Sequence, residues 1–179
     1  KNQTQQNLTK SYEDGYSQVA DAFLSLQTAV SGMSDILNHQ YLSDFSVRLI
    51  GNTATGYRND ADKAYYAAKD AVDKGLKEYK SLSRDSDTSA IETLIEDTYQ
   101  AAQRSADALK AVNNLVDYVE SQTDQKSRSA QLATDQSTLD TYIQTVNGHV
   151  TALLSARQAI ENAKSALLGD TRTVGEKEA

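Results

Sequence analysis

The sequence predicts an all-α protein, an antiparallel up-down-up-down four-helix bundle with long helices. Three observations predict it. The 179 residues contain no proline, the residue that most reliably interrupts a helix. Apolar residues recur at alternating steps of three and four, the seam of a helix lying at a shallow angle against its neighbours. Short polar runs with capping residues separate one seam from the next.

The first segment carries Leu8, Tyr12, Tyr16, Val19, Phe23, Leu26, Val30, Met33 and Leu37 on one seam and predicts a helix over about 5–38. The second, over about 44–82, has a seam of small residues. It reads Val47, Gly51, Ala54, Arg58, Ala61, Tyr65, Ala68, Val72, Gly75, Tyr79, Leu82. A neighbouring helix could approach it closely, while Gly51 and Gly56 each weaken it by roughly 1 kcal/mol relative to Ala. The first break falls at Asn38–Asp44, with Ser43 or Asp44 as cap, or alternatively at Gly51–Asp60.

The third segment, about 88–120, runs Ile91, Ile95, Thr98, Ala102, Ser105, Leu109, Val112, Val116, Val119, and Asp87 or Ser89 could start it. After the polar run at 121–125, the fourth segment covers about 127–168. Its seam is Leu139, Tyr142, Val146, His149, Leu153, Ala156, Ile160, Ala163, Leu167. Residues 1–168 thus form one domain, and 169–179 a frayed or juxtamembrane tail. Helices of roughly 35–42 residues make a rod on the order of 55–60 Å long.

Composition removes whole classes of chemistry. With no cysteine there are no disulfides, thiolate nucleophiles or cysteine-bound metals. The two histidines, His39 and His149, have Ile36 and Val146 three residues before them, where a di-iron bundle needs Glu. No phosphate loop, nucleophile elbow or zinc-protease motif is present. Asn59, Asp60 and Asp62 open like a calcium loop, but no Gly and Glu follow at the required offsets. The expectation is a protein that is not an enzyme, without catalytic residues, metal or cofactor. A net charge of −7 and a pI near 4.8 argue against nucleic acid, which needs basic patches.

No stretch reaches the ~18–20 apolar residues that span a bilayer. Lys1 and Ala179 read as the ends of a piece of a longer protein, whose flanks would hold targeting or membrane segments. Two stretches, Ala22–Ser34 and Thr141–Ala156, are poor in charge on every face. Either a partner covers helices one and four, giving a homodimer through them, or Ser, Thr, Gln and Asn solvate those faces.

Polar residues converge on one end. Counting about nine residues inward from the turns near 41–43 and 121–126 reaches Met33, Asn52, Asn113 and Asp135. Arg48 lies about one turn above this level and Arg58 about one and a half turns below. Arg48, Asn52, Arg58, Asn113 and Asp135 are therefore the candidate ligand-binding residues. The layer is either a small-molecule pocket or a wet bundle end. Arg58, on the seam, either snorkels to solvent or awaits an anion. His149 reads as a core-edge histidine bonded to a nearby Ser or Asn.

The pattern resembles the extracytoplasmic ligand-binding domain of a bacterial chemoreceptor (methyl-accepting chemotaxis protein) or sensor histidine kinase. The resemblance is carried by Ser46-Val47-Arg48-Leu49-Ile50-Gly51-Asn52, by Tyr65–Leu82 with its Lys and Tyr near the close, by the polar turn after it and by Ile91–Val119. It implies a periplasmic or extracellular domain of an inner-membrane receptor, anchored by segments outside this chain. It also implies dimerisation through helices one and four, a small metabolite bound at the membrane-distal end, and a small shift of the fourth helix as the signal. Receptors for amino acids use arginines on the first helix; here that helix has none, and only Arg48, with Arg58, could stand in. The other function class that fits is a structural or protein-interaction helical bundle of a surface or secreted protein.

Overall fold

The protein, seen as a computed structural model, is described over backbone residues 2–122 and 126–175, with side chains over 3–122 and 130–170. It is an all-α bundle of long antiparallel helices. Helix α1 is Asn2–Leu37, α2 is Asp44–Ile50, α3 is Asn52–Ser81, α4 is Thr88–Ser121 and α5 is Lys126–Gly175. A single 3-10 turn, Gln40–Leu42, links α1 to α2.

The expected second helix over 44–82 is two helices. Gly51 separates them at φ 137°, ψ −176°, a backbone region that side-chain-bearing residues avoid. Its N–H still donates to the Val47 carbonyl and its own carbonyl accepts from Thr55 N–H, each at 3.1 Å. One glycine therefore ends α2 and starts α3. Both positions considered for the first break are used, at 38–44 and at Gly51.

Helices α2 and α4 are capped by side-chain oxygens. Ser43 Oγ accepts from Ser46 N–H at 3.3 Å, and Asp87 Oδ1 accepts from Ser89 N–H at 2.8 Å. Backbone hydrogen bonding to Ser89 also holds the Asp87 carboxyl below its ordinary range. The expected fourth helix continues as α-helix past 168 to Gly175, and residues 176–179 of the expected tail lie outside the described residues. So do 123–125 of the turn before it.

The seams are the core. From Tyr12 to Leu37 every residue of the α1 seam is buried, as is the whole α4 seam from Ile91 to Val119. Thr98 and Ser105, polar but buried, donate to the Leu94 and Ala101 carbonyls of their own helix at 2.6 and 2.8 Å. On α5 the fully buried apolar residues recur every seventh position: Leu132, Leu139, Val146, Leu153, Ile160. The seam residues between them are half-buried, so α5 sits less deeply than α4. On α3, Ala54, Ala61, Ala68 and Gly75 fall on the same seven-residue line. Their small size admits large partners: a β-carbon on Gly75 would lie 2.8 Å from the Phe23 ring.

Helix α5 has 50 residues against 36 in α1, 30 in α3 and 34 in α4. At 1.5 Å per residue it is about 75 Å long. The start of α1 and the end of α5 lie together, joined by a hydrogen bond from the Thr4 hydroxyl to the Asp170 carboxylate. The 3-10 turn, α2 and the start of α5 occupy the opposite end. No described helix is long and apolar enough to cross a membrane.

Candidate functional site

Asp135 anchors a polar cluster in the end of the bundle that holds α2. Its side chain is 4% exposed, and it is the one buried carboxylate among the described residues. It falls three residues after Leu132, on the inward face of α5, so the fold drives it inside with its apolar neighbours. Its Oδ2 is 2.9 Å from His39 Nδ1, and its Oδ1 accepts from the Gln131 amide one turn earlier at 3.1 Å. His39 follows α1 directly, in extended backbone before the 3-10 turn. Its Nδ1 is also 2.9 Å from the Tyr41 hydroxyl. Burial pushes the Asp135 carboxyl above its ordinary range, and the His39 bond offsets only part of that.

The other four sequence candidates do not join this cluster. Arg58 neither snorkels nor stands open for an anion. Its side chain is 13% exposed, its Nη1 donates to the Leu37 and Leu42 carbonyls at 2.6 and 2.7 Å, and its Nε donates to Asp62 at 2.9 Å. The guanidinium thus takes up carbonyls that the end of α1 and the 3-10 turn leave without helix partners. Asn113 is half-buried and donates to Asp117 on its own helix at 3.0 Å. Arg48 and Asn52 are exposed, on α2 and at the first position of α3.

His39 is the residue that sequence reasoning missed. It had been weighed only as a metal ligand, through the residue three before it. The usable signal was Asp135 itself. A carboxylate placed on an apolar seam requires a donor, and His39 is the histidine near that end. His149 matches its expectation: Nε2 lies 2.8 Å from Ser25 Oγ, bridging α5 to α1.

Two clefts mark the described surface, and neither is lined by His39 or Asp135. The larger cleft, of about 790 Å³, runs between α4 and α5 toward the end where α1 begins. Ile95, Leu154 and Ile160 supply its apolar surface, with Glu92, Glu96 and Arg157 around it. Its charges are engaged with one another. Arg157 bonds Glu96 at 2.9 Å and lies 5.1 Å over the Tyr99 ring; Lys164 bonds Glu92 at 2.6 Å. Burial raises the Glu92 carboxyl, but the bonds from Lys164 and Tyr12 outweigh it and hold it below its ordinary range. A smaller cleft of about 340 Å³ opens beside α2, lined by Ser46, Leu49, Ile50 and Gln122. Next to it Phe45 and Leu49 are each 73% exposed.

Comparison with protein-family models, with curated proteins and with solved structures finds no match for this chain.

Proposed function

We propose that this bundle is an extracytoplasmic sensor domain of a transmembrane receptor of the chemoreceptor or sensor-kinase kind. In this reading it binds a small metabolite and passes the event on as a displacement of α5. The observation that carries the reading is the mechanical layout. Helix α5 runs without a break from the buried cluster at Asp135 to Gly175, and its far end lies beside the start of α1. A continuous helix transmits a small axial or rotational shift over its whole length, because its backbone hydrogen bonds resist compression. The packing supports it too. The α5 core line is only one residue wide per heptad, so α5 is less firmly embedded than α1 or α4.

The same reading places the domain in the periplasm or outside the cell, held by membrane segments beyond this chain, and pairs two copies through α1 and α5. The outer face of α5 supports the pairing: Thr141, Thr145, Gly148, Thr151 and Ser155 are exposed and uncharged. Arg48 and Asn52, exposed near the smaller cleft's end of the bundle, are the residues proposed to meet the ligand first.

A thermal-shift screen of amino acids, organic acids, aromatic acids, purines and polyamines tests this. Ligand at 100 times its dissociation constant adds about 2.7 kcal/mol to the native state, a rise of several degrees for a chain this size. A dose-dependent rise with one chemical class supports the sensor reading. No rise with any class favours the second reading, a protein-interaction bundle. Phe45 and Leu49, an exposed apolar pair one turn apart on α2, are the observation that favours that alternative.

A further inference from the structure

We propose that His39 and Asp135 form a proton-operated latch, which fastens the connection between α1 and α2 to α5 and loosens when the imidazolium gives up its proton. The two groups are 96 residues apart in the sequence and meet at 2.9 Å. They differ sharply in access to water: the Asp135 side chain is 4% exposed and the His39 side chain 35%. The carboxylate therefore cannot exchange its partner for solvent, while the outer part of the imidazole can pass a proton to water.

The hydrogen-bond inventory sets the latch's two states. An ionised carboxylate only accepts, so Nδ1 must carry the hydrogen that points at Asp135. The Tyr41 hydroxyl, equally close to Nδ1, then serves as a second acceptor for that N–H. With Nε2 protonated as well, imidazolium and carboxylate form a neutral pair, and the buried charge is compensated. When Nε2 loses its proton to solvent, the Nδ1–H bond survives but the compensating charge is gone. One net negative charge is left on Asp135, held among the described residues by the His39 N–H and the Gln131 amide. An uncompensated buried charge favours local opening.

Among the described residues, the other charges at this end are bonded elsewhere or exposed. From α4, Asp117 and Glu120 come to this end, and both are bonded to the amide of Gln136, beside Asp135. From α3, Arg58 is engaged with Asp62 and with carbonyls of α1 and the 3-10 turn. On the connection itself the neighbouring titratable group is Tyr41, and Asp44 and Arg48 on α2 are exposed. Among the described residues, His39 is the titratable side chain within hydrogen-bond reach of the Asp135 carboxyl. The latch grips the start of the long helix, so its state determines how firmly that end of α5 is held.

Amide hydrogen exchange on the intact chain tests the latch without any ligand, and so separates its failure from failure of the sensor reading. After correction for base catalysis of intrinsic exchange, protection over 131–139 and 37–42 should fall roughly tenfold as the pH is raised from about 6 to about 8. Protection over 150–160 of the same helix should stay constant. Asp135→Asn and His39→Gln, which keep hydrogen-bonding side chains but cannot form the ion pair, should remove the pH dependence. Protection that does not change with pH, or changes uniformly along α5, would overturn the proposal in the wild-type protein alone. Full pH dependence retained in folded Asp135→Asn would overturn it as well.

Discussion

The ring of Tyr142 lies on the backbone of Gly32, so close that a β-carbon on residue 32 would sit 2.3 Å from its Cε2. This contact brings α1 and α5 together within their charge-poor stretches. The inner faces of the two stretches are thus buried against each other within one chain, which leaves only their exposed uncharged residues for a second copy.

Gly32→Ala forces the half-buried tyrosine ring outward. Overpacking of this kind costs about 1–3 kcal/mol, against a gain of roughly 1 kcal/mol in helix propensity. The expected net effect is a loss of about 1 kcal/mol. Gly56→Ala is the control: nothing lies within 4 Å of the added carbon on that exposed face of α3. It should gain about 0.5–1 kcal/mol. Urea unfolding midpoints of the two variants should move in opposite directions; movement in the same direction would refute the packing assignment.

Arg58→Ala should lower stability by about 2–3 kcal/mol, since it removes charge-assisted bonds to two carbonyls and to Asp62. Arg58→Lys should recover only part, because one ammonium lacks the planar fork that reaches all three acceptors. Ligand binding in Arg58 variants must therefore be read beside their unfolding curves. Arg48→Ala, on an exposed turn of α2, should stay within about 0.5 kcal/mol of wild type. It is the cleaner test of an anion contact; unchanged affinity in this variant would remove Arg48 from the site.

His149 gives stability an acid-side dependence. Burial lowers its pKa, with Asp21 opposing. The native state then takes up a proton less readily than the unfolded chain. The stability from this site is full above the ordinary histidine value of about 6.5 and declines as the pH falls toward the lowered native one. His149→Gln, whose amide can still meet Ser25, should flatten that decline. Denaturant midpoints at about pH 7.5 and about pH 5 check it; an equal decline in both proteins would assign the acid dependence elsewhere. Exchange measured segment by segment separates this decline from any opening at the His39–Asp135 pair.

The bundle was legible because the periodicity that marks a helix also selects its buried face. Every α4 seam residue from Ile91 to Val119 and every α1 seam residue from Tyr12 to Leu37 is inside. The split at Gly51 was half legible. Glycine weakens any helix, but whether a chain tolerates it or turns at it depends on what the following helix must reach. Here the turn lets α3 lie along the bundle while α2 stays at the end.

Of the five residues singled out in the sequence, Asp135 is the one that lies in the buried polar cluster. Counting turns inward from the bundle end reaches Asp135, and a carboxylate three residues after Leu132 breaks the apolar pattern of the inward face. Arg58 violated it too, but its partners are backbone carbonyls, which have no signature in sequence. His39 was hidden for the same kind of reason, since its partner lies on a helix from the other end of the chain.

By itself the sequence determined the helices, their buried faces and their antiparallel order, because each follows from local periodicity and short connections. Only the tertiary structure decided which polar groups meet. Such pairings depend on the rotation and axial offset of one helix against another to within about an ångström, and large and small side chains packed across the whole bundle set that register together.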